Sequence, residues 1–247
     1  MSTTISLLHQ MIRKLSGRAA LDQEDEDAIL ALPHVIRSHH PATYVIREGE
    51  PPPKHCAFIR SGFAIRQKIT AQGARQIVSL HLAGDFIDLE NLFLSIFDHN
   101  VQALTELEVV GVERRALEEL VLARPNIARA LWVDALVDAS IYREWVTNVG
   151  RRAAPARIAH VLGEMAMRMH AAGMSTEAGF ELPLTQEQLA DAVGLTPVHV
   201  NRTLKGLVAD GIVHRDKRYI SFSDWGRAKE VADFSALYLH LDQTKPD

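Results

Sequence analysis

The stretch LTQEQLADAVGLTPVHVNRTLKGL, residues 184–207, predicts two short helices joined by a tight turn. Thr185, with Gln188 three residues later, forms a capping box that opens the first helix over 186–193. Gly194 ends that helix, because glycine adopts a left-handed backbone conformation without steric cost. Two helices joined by three or four residues that include a glycine constitute a helix-turn-helix. The stretch therefore decides the fold of the last part of the chain.

The second helix of this pair has two different faces. It begins at Pro197, where a missing N–H costs nothing, behind the capping hydroxyl of Thr196. Helical spacing assigns the inner face to Val200, Thr203, Leu204 and Leu207. The outer face carries Val198, His199, Asn201, Arg202 and Lys205. Asparagine can pair with adenine, arginine with guanine, and a valine methyl can meet the thymine methyl in the major groove. The helix is therefore predicted to read DNA, the alternative being a polar face that is merely solvated.

Residues on both sides of this helix are suited to the DNA backbone. Thr185 and Gln186 open the preceding helix and are placed to donate to a phosphate. After the second helix, Ile212–Val213 and Tyr219–Phe222 predict two strands around the sequence HRDKR, which makes a β-hairpin wing. The wing carries four basic residues: His214, Arg215, Lys217 and Arg218. Positive charge at this place favours phosphate or minor-groove contact over a simple solvated tip.

The first half of the chain has a different texture. Helical spacing predicts short helices over 5–16 and 21–32, whereas residues 42–113 contain short β-branched and aromatic runs separated by turn residues. Several short strands at close spacing predict a β-barrel or jelly roll. A further helix ends before Pro125.

A long helix follows over 125–149 and connects the two halves. Its apolar positions include Ile127, Leu131, Ala135, Ile141 and Trp145, close to a coiled-coil seam. We expect a dimerisation spine with its interface at Leu131, Ala135, Ile141 and Trp145. The alternative is a helix packed on its own barrel. The sequence GRRAAPAR at 150–157 reads as a hinge and domain boundary.

Composition is that of an ordinary globular protein. The chain has 247 residues, of which 47% are hydrophobic and 23% charged, and a formal net charge of −4. One cysteine, Cys56, excludes a disulfide framework and a four-cysteine cluster. The first residues lack the apolar run of a signal peptide or membrane span, so a cytoplasmic protein is expected. The predicted fold class is α+β, with four parts: a sensor domain over 1–124, the spine over 125–149, a winged helix-turn-helix domain over 150–225, and a C-terminal helix and tail over 226–247.

In this order of parts the chain resembles the Crp/Fnr family of bacterial transcription regulators. The resemblance covers about residues 20–225 and is most specific in GDFIDLENLF (84–93), NVGRRAAPARIAHVL (148–162) and the helix-turn-helix itself. It implies a barrel with a cyclic-nucleotide-binding-like fold and a homodimer paired through its spine helices. It also implies a palindromic DNA site and RNA polymerase as partner of an activator.

Three departures from the family pattern limit what the resemblance implies. Members that bind cyclic AMP carry a glutamate where Leu89 stands and an Arg-Ser pair where LSIFDHNVQ has none. A phosphate beside Asp98 with no cation would be repelled, so cyclic nucleotide is not expected, and the single cysteine excludes a four-cysteine iron–sulfur cluster. The best-known members also carry a glutamate where Val198 stands, although Arg202 is present. We therefore expect a DNA half-site different from the familiar ones.

The effector of the barrel is left open by the sequence. Candidate pocket residues are Gly84, Asp85, Asp88, Leu89, Glu90, Asn91, Asp98 and His99, which could equally form a solvated loop. Histidines of the first half could ligate haem or another metal, but none has a ligand spacing, and no cofactor is predicted. Cys56 is interpreted as a structural residue. No catalytic motif supports an enzyme. The alternatives to a ligand-controlled regulator are a ligand-independent one and a haem- or metal-sensing one of the same fold.

Overall fold

The computed structural model describes residues 7–175 and 179–241, without the side chain of Asn91. Its helices and strands in chain order are α1 (His9–Ser16), α2 (Gln23–Leu30), β1 (His34–His39), β2 (Tyr44–Ile46), β3 (His55–Ser61), β4 (Ala64–Ile69), β5 (Arg75–His81), β6 (Asn100–Ala103), β7 (Leu107–Glu113), α3 (Arg114–Ala123), α4 (Pro125–Arg151), α5 (Ala154–Ala171), β8 (Phe180–Glu181), α6 (Gln186–Val193), α7 (Pro197–Ala209), β9 (His214–Asp216), β10 (Tyr219–Ser221) and α8 (Trp225–Ala232). Single 3-10 turns lie at Leu89–Leu92 and Ala236–Leu239. Among these described helices none has the length and hydropathy needed to cross a membrane.

Two compact units divide the chain. The described part of the first comprises residues 7–66, 80–139 and Leu241, and the second comprises 67–79 and 140–240. The end of the β4–β5 hairpin therefore belongs to the second unit, where Arg75 forms an ion pair with Asp191 of α6 at 2.6 Å.

The β-rich part contains a three-stranded sheet of order β1-β7-β3 and a four-stranded sheet of order β2-β6-β4-β5. Strand β7 is buried on both faces, which explains its nearly continuous apolar sequence. Leu107 and Val109 point into one core, whereas Val110 and Val112 point into a second core shared with α1 and α3. The predicted β-rich domain is confirmed.

The β-rich part begins earlier than residue 42, the predicted start. Strand β1 pairs antiparallel with β7 from His34 onward, although most of its side chains are exposed. Its sequence HVIRSH lacks apolar alternation, because β1 lies at the edge of its sheet and contributes few core side chains. The predicted N-terminal helix over 5–16 starts at His9, and its residues 5 and 6 lie outside the described residues.

The second unit packs α5 against α6, α7 and α8 beside a three-stranded sheet of order β8-β10-β9. The predicted first wing strand is wrong by two residues. Ile212 and Val213 are buried in the core of the unit, and the strand is instead His214–Asp216. The turn falls at Lys217, which has a φ of 54°.

The predicted hinge is a short corner between two helices. Helix α4 continues through Gly150 to Arg151, and α5 begins at Ala154 with a proline in its first turn. The corner is held by hydrogen bonds, since the Arg157 guanidinium donates to the carbonyl of Arg152 at 2.7 Å and to that of Val193 at 3.1 Å. Arg157 therefore ties the corner to the end of α6.

Candidate DNA interface

Capping hydrogen bonds fix the starts of α6 and α7 as the sequence predicts. The Thr185 hydroxyl accepts from the Gln188 backbone N–H at 3.2 Å, and the Gln188 side chain accepts from the Thr185 N–H at 2.8 Å. Gly194 ends α6 with φ 65° and ψ 41°, and the Thr196 side chain accepts from the His199 N–H at 3.3 Å. These bonds satisfy backbone donors that a helix start otherwise leaves unpaired. The predicted helix pair is confirmed.

Helix α7 buries one face and presents the other. Its buried residues are Val200, Thr203, Leu204 and Leu207, as the spacing predicts. On the opposite face Val198 is 80% exposed, and Arg202 and Lys205 are also exposed. A valine side chain so exposed at the start of a capped helix has no role in the core. The outer face of α7 therefore presents one apolar side chain, Val198, and two cations, Arg202 and Lys205, to a binding partner.

Asn201 is placed differently from its exposed neighbours. It is half-buried, and its amide nitrogen donates to the amide oxygen of Gln186 at 3.0 Å. This bond joins the first residue of α6 to the middle of α7. Asn201 therefore has a hydrogen-bond partner within the protein. The sequence alone predicts that Asn201 reads a base and does not indicate this bond.

The wing brings basic side chains to the start of α6. A cavity of about 100 Å³ lies there, lined by Leu182, Leu184, Thr185, Gln186, Leu189, Leu204, Arg215, Lys217 and Arg218. No acidic side chain is among these nine described residues. Thr185, His214 and Lys217 are exposed, and the Arg215 guanidinium donates to the Lys217 carbonyl at 2.9 Å. The lining suits an anionic group.

Arg218 has a second role that the sequence did not indicate. Its guanidinium donates to the carbonyls of Leu182 at 3.1 Å and Pro183 at 2.7 Å. Arg218 therefore holds the segment that leads into α6, and part of its donor capacity is used inside the protein.

The candidate pocket residues of the first unit are engaged in separate contacts. Asp85 forms an ion pair with Lys14 at 2.7 Å. Asp88 accepts from the Ala57 N–H at 2.7 Å and from the Cys56 thiol at 3.1 Å, and burial raises the pKa of Asp88 to about 7. Burial also raises the pKa of the Cys56 thiol, which disfavours a reactive thiolate. Cys56 is therefore placed as a structural residue.

Another of the candidate pocket residues, Glu90, contacts a buried cation, Arg66, which the sequence did not reveal. Arg66 of β4 is 6% exposed, and it donates to the Ile87 carbonyl and pairs with Glu90, both at 3.0 Å. His99 is buried 2.7 Å from a carboxylate oxygen of Asp98, whose side chain is 89% exposed. The sequence carries no signal for Arg66, since the strand AIRQKI contains three consecutive polar residues and does not show that this one is buried. Both contacts of Arg66, to the Ile87 carbonyl and to Glu90, are made by its Nη2 nitrogen, which is therefore engaged within the chain.

Gly84, Leu89 and Asn91 are the remaining pocket candidates. Gly84 has a φ of 96° and makes the turn before Asp85, Leu89 is half-buried, and the side chain of Asn91 lies outside the description. Within the described residues no group of three or more histidine, cysteine, aspartate or glutamate side chains is arranged to hold a metal ion.

The predicted dimer seam on α4 lies mostly at buried positions. Leu131, Ile141 and Trp145 are 5–6% exposed, because they pack inside their own chain, and the Trp145 indole donates to Glu164 at 2.9 Å. Ala135 is exposed. The large apolar side chains that α4 exposes are instead those of Trp132 (69%), Leu136 (57%) and Val146 (68%). Together with the half-buried Ala139 and the exposed Arg143 they recur at spacings of three and four residues. We call these five residues the outer stripe of α4.

Comparison with known proteins agrees with this geometry. Residues 156–227 match the family model of the Crp-like helix-turn-helix domain, and residues 36–124 match that of the cyclic nucleotide-binding domain. The transcriptional activator protein FnrL of Cereibacter sphaeroides is 30% identical over 221 residues, which cover 87% of this chain and 88% of FnrL. The chain belongs to the Crp/Fnr family.

Other Crp/Fnr proteins support the assignment. The transcriptional activator protein Anr of Pseudomonas aeruginosa is 23% identical over 205 residues, which cover 83% of both chains. The structure of FixK2 from Bradyrhizobium japonicum superposes with a TM-score of 0.75 at 25% identity, covering 83% of this chain and 100% of that one. The protein is thus a DNA-binding transcription regulator of the Crp/Fnr type, and α6 and α7 are its helix-turn-helix.

Proposed function

We propose that the protein is a homodimer that reads a palindromic DNA site with α7 of each subunit in a major groove. The exposed outer face of α7 carries this proposal, since Val198, Arg202 and Lys205 project from a capped helix whose opposite face is buried in the unit. A two-fold dimer would place the two helices on half-sites one helical turn apart. The cytoplasm, where chromosomal DNA lies, is the proposed location.

Specific roles follow from side-chain chemistry. Arg202 pairs with a guanine edge, and Val198 contacts a thymine methyl, so the half-site differs from one read by a glutamate at that position. Lys205, Pro197 and His199 lie beside them on or near the same face, and Thr196 caps the helix. Backbone phosphates are bound by Thr185 and Gln186 and by the wing residues His214, Arg215, Lys217 and Arg218.

The activator role is extended from relatives. FnrL and Anr are named transcriptional activators. We extend that role to this chain, which makes RNA polymerase the partner of the DNA-bound dimer.

The β-rich unit is the proposed effector domain, and a buried charge cluster supports it. Lys14 and Arg18 of the N-terminal region pair with Asp134 of α4 at 3.5 and 2.9 Å. Burial and the nearby Asp134 carboxylate raise the pKa of Asp138 to about 7. The ion pairs of Asp134 therefore connect α4 to Lys14 and Arg18 of the N-terminal region. The absorption spectrum and native mass of the purified protein test for a retained ligand, and a Soret band would favour the haem alternative.

The test of DNA reading compares Arg202→Ala with wild type and with Arg115→Ala, which removes an exposed arginine from α3. Sites are first selected from random DNA with the wild-type protein. Arg202→Ala is expected to lose about 1–3 kcal/mol of binding free energy and to relax preference at one position of each half-site. Arg115→Ala is expected to bind like wild type. Equal affinity and equal preference in Arg202→Ala and wild type would refute the assigned reading face.

A further inference from the structure

The hydrogen bond between Asn201 and Gln186 joins the two helices of the DNA-binding motif at its outer surface. The donor is the Asn201 amide nitrogen, the acceptor is the Gln186 amide oxygen, and the two atoms are 3.0 Å apart. Both side chains are half-buried, whereas Val198, Arg202 and Lys205 on the same helix are exposed. Asn201 is therefore set back from the surface that its neighbours form.

This bond fixes which end of the Gln186 amide faces outward. A side-chain amide has an oxygen that only accepts and a nitrogen that only donates. Because Asn201 occupies the oxygen, the nitrogen of Gln186 is directed to the other side. Gln186 is the first residue of α6 and lines the basic cavity at the wing together with Arg215 and Lys217.

A DNA phosphate discriminates between the two orientations of this amide. Phosphate oxygens are acceptors, so they bind the outward NH₂ group and repel an outward carbonyl oxygen. The start of α6 adds a favourable helix dipole. A Gln186 side chain held in the donating orientation is therefore prepared for phosphate before DNA arrives.

We propose that Asn201 is a positioning residue, which orients Gln186 toward a backbone phosphate instead of reading a base. The inference rests on the proposed function and assigns a role within the same interface. Base reading at this helix then belongs to Val198 and Arg202. A bidentate pair with adenine would need both ends of the Asn201 amide at the surface, whereas Asn201 is half-buried and its nitrogen is directed toward Gln186.

The experiment measures affinity, base preference and salt dependence for wild type, Asn201→Ala, Gln186→Ala and the double variant. The DNA is the wild-type selected site and a panel with every half-site position substituted in turn. Asn201→Ala is expected to weaken binding by about 3- to 10-fold on every sequence alike. Gln186→Ala should weaken it at least as much. The double variant should match Gln186→Ala, because both changes remove the same interaction.

Salt dependence separates this role from that of a cation. An amide releases no counterion, so Asn201→Ala should keep the wild-type slope of log affinity against log salt concentration. The matched variant Lys217→Ala should reduce that slope by about one. Gln186→Glu supplies a second check that preserves folding, since an acidic residue is favourable in the first turn of a helix. Glutamate still accepts from Asn201 but offers no donor, and it should bind DNA more weakly than Gln186→Ala.

Opposite results would overturn the inference. A change of base preference in Asn201→Ala at any half-site position would make Asn201 a base-reading residue. Additive losses in the double variant would show that the two side chains act separately. Failure of the proposed function is recognised differently: wild type would select no site, or Arg202→Ala would bind like wild type.

Discussion

His160 of α5 illustrates how burial determines the protonation of a single residue. Its ring is 1% exposed, lies 5.1 Å from the Phe234 ring centroid and stacks on Tyr238 at 5.7 Å. Burial, with the charge of Arg152, lowers the pKa of His160 to about 4. The nearby carboxylates of Glu144 and Asp233 raise it only in part. His160 is therefore neutral in the folded protein at neutral pH.

Acid should weaken the second unit through His160. In the unfolded chain a histidine takes up a proton near pH 6.5, whereas folded His160 resists it down to about pH 4. The free energy of unfolding should therefore fall as pH falls from 6.5 toward 4, by at most about 1.4 kcal/mol per pH unit. Urea unfolding followed by tryptophan fluorescence at pH 7, 6 and 5 measures this slope.

Two substitutions isolate the histidine contribution to that slope. His160→Gln should show a smaller loss of stability on acidification than wild type, whatever its stability at pH 7. His170→Gln removes an exposed histidine near the end of the same helix and should keep the wild-type slope. An unchanged slope in His160→Gln would assign the acid sensitivity to other groups.

At the scale of elements, two glycines of the helix-turn-helix meet opposite requirements. Gly194 has a φ of 65°, so alanine there is strained, although its Cβ would lie at an ordinary contact distance of 3.7 Å from an Arg157 nitrogen. Gly206 lies inside α7 with open space around it. Gly194→Ala should lower the free energy of unfolding by about 1 kcal/mol, and Gly206→Ala should raise it by about 0.5–1 kcal/mol.

The same denaturant titration measures both variants, and each serves as the control for the other. A shift in the same direction for both would contradict the assigned backbone roles. Gly206 is also on the exposed side of α7, so its replacement should be compared in the DNA-binding assay.

Elements whose ends are determined by residues close in sequence were predicted well. Caps, a C-terminal glycine and a first-turn proline fix α6 and α7 within a few residues of chain, and no distant contact is needed. The wing strand was misplaced by two residues because the burial of Ile212 and Val213 depends on tertiary packing. Arg66 was missed for a similar reason, since its partner Glu90 is distant in sequence.

The face of α4 could not be chosen from sequence, because the helix is apolar on more than one side. Leu131, Ile141 and Trp145 give one helical row, and Trp132, Leu136 and Val146 give another. Periodicity identifies such rows but does not say which one the chain itself covers. The structure decides by burying the first row.

At the scale of the whole molecule, we propose the outer stripe of α4 as the surface on which the two chains of the proposed homodimer meet. Exposed apolar residues at spacings of three and four on a 27-residue helix are typical of a coiled-coil seam. Leu136→Glu combined with Val146→Glu should therefore convert the dimer to a monomer in sedimentation equilibrium, because two buried carboxylates per chain would be unpaired. DNA affinity should fall with it, since one half-site contact is lost. Leu122→Glu on α3 changes a 78% exposed leucine and should leave the dimer intact. A double variant that remains dimeric would place the interface elsewhere.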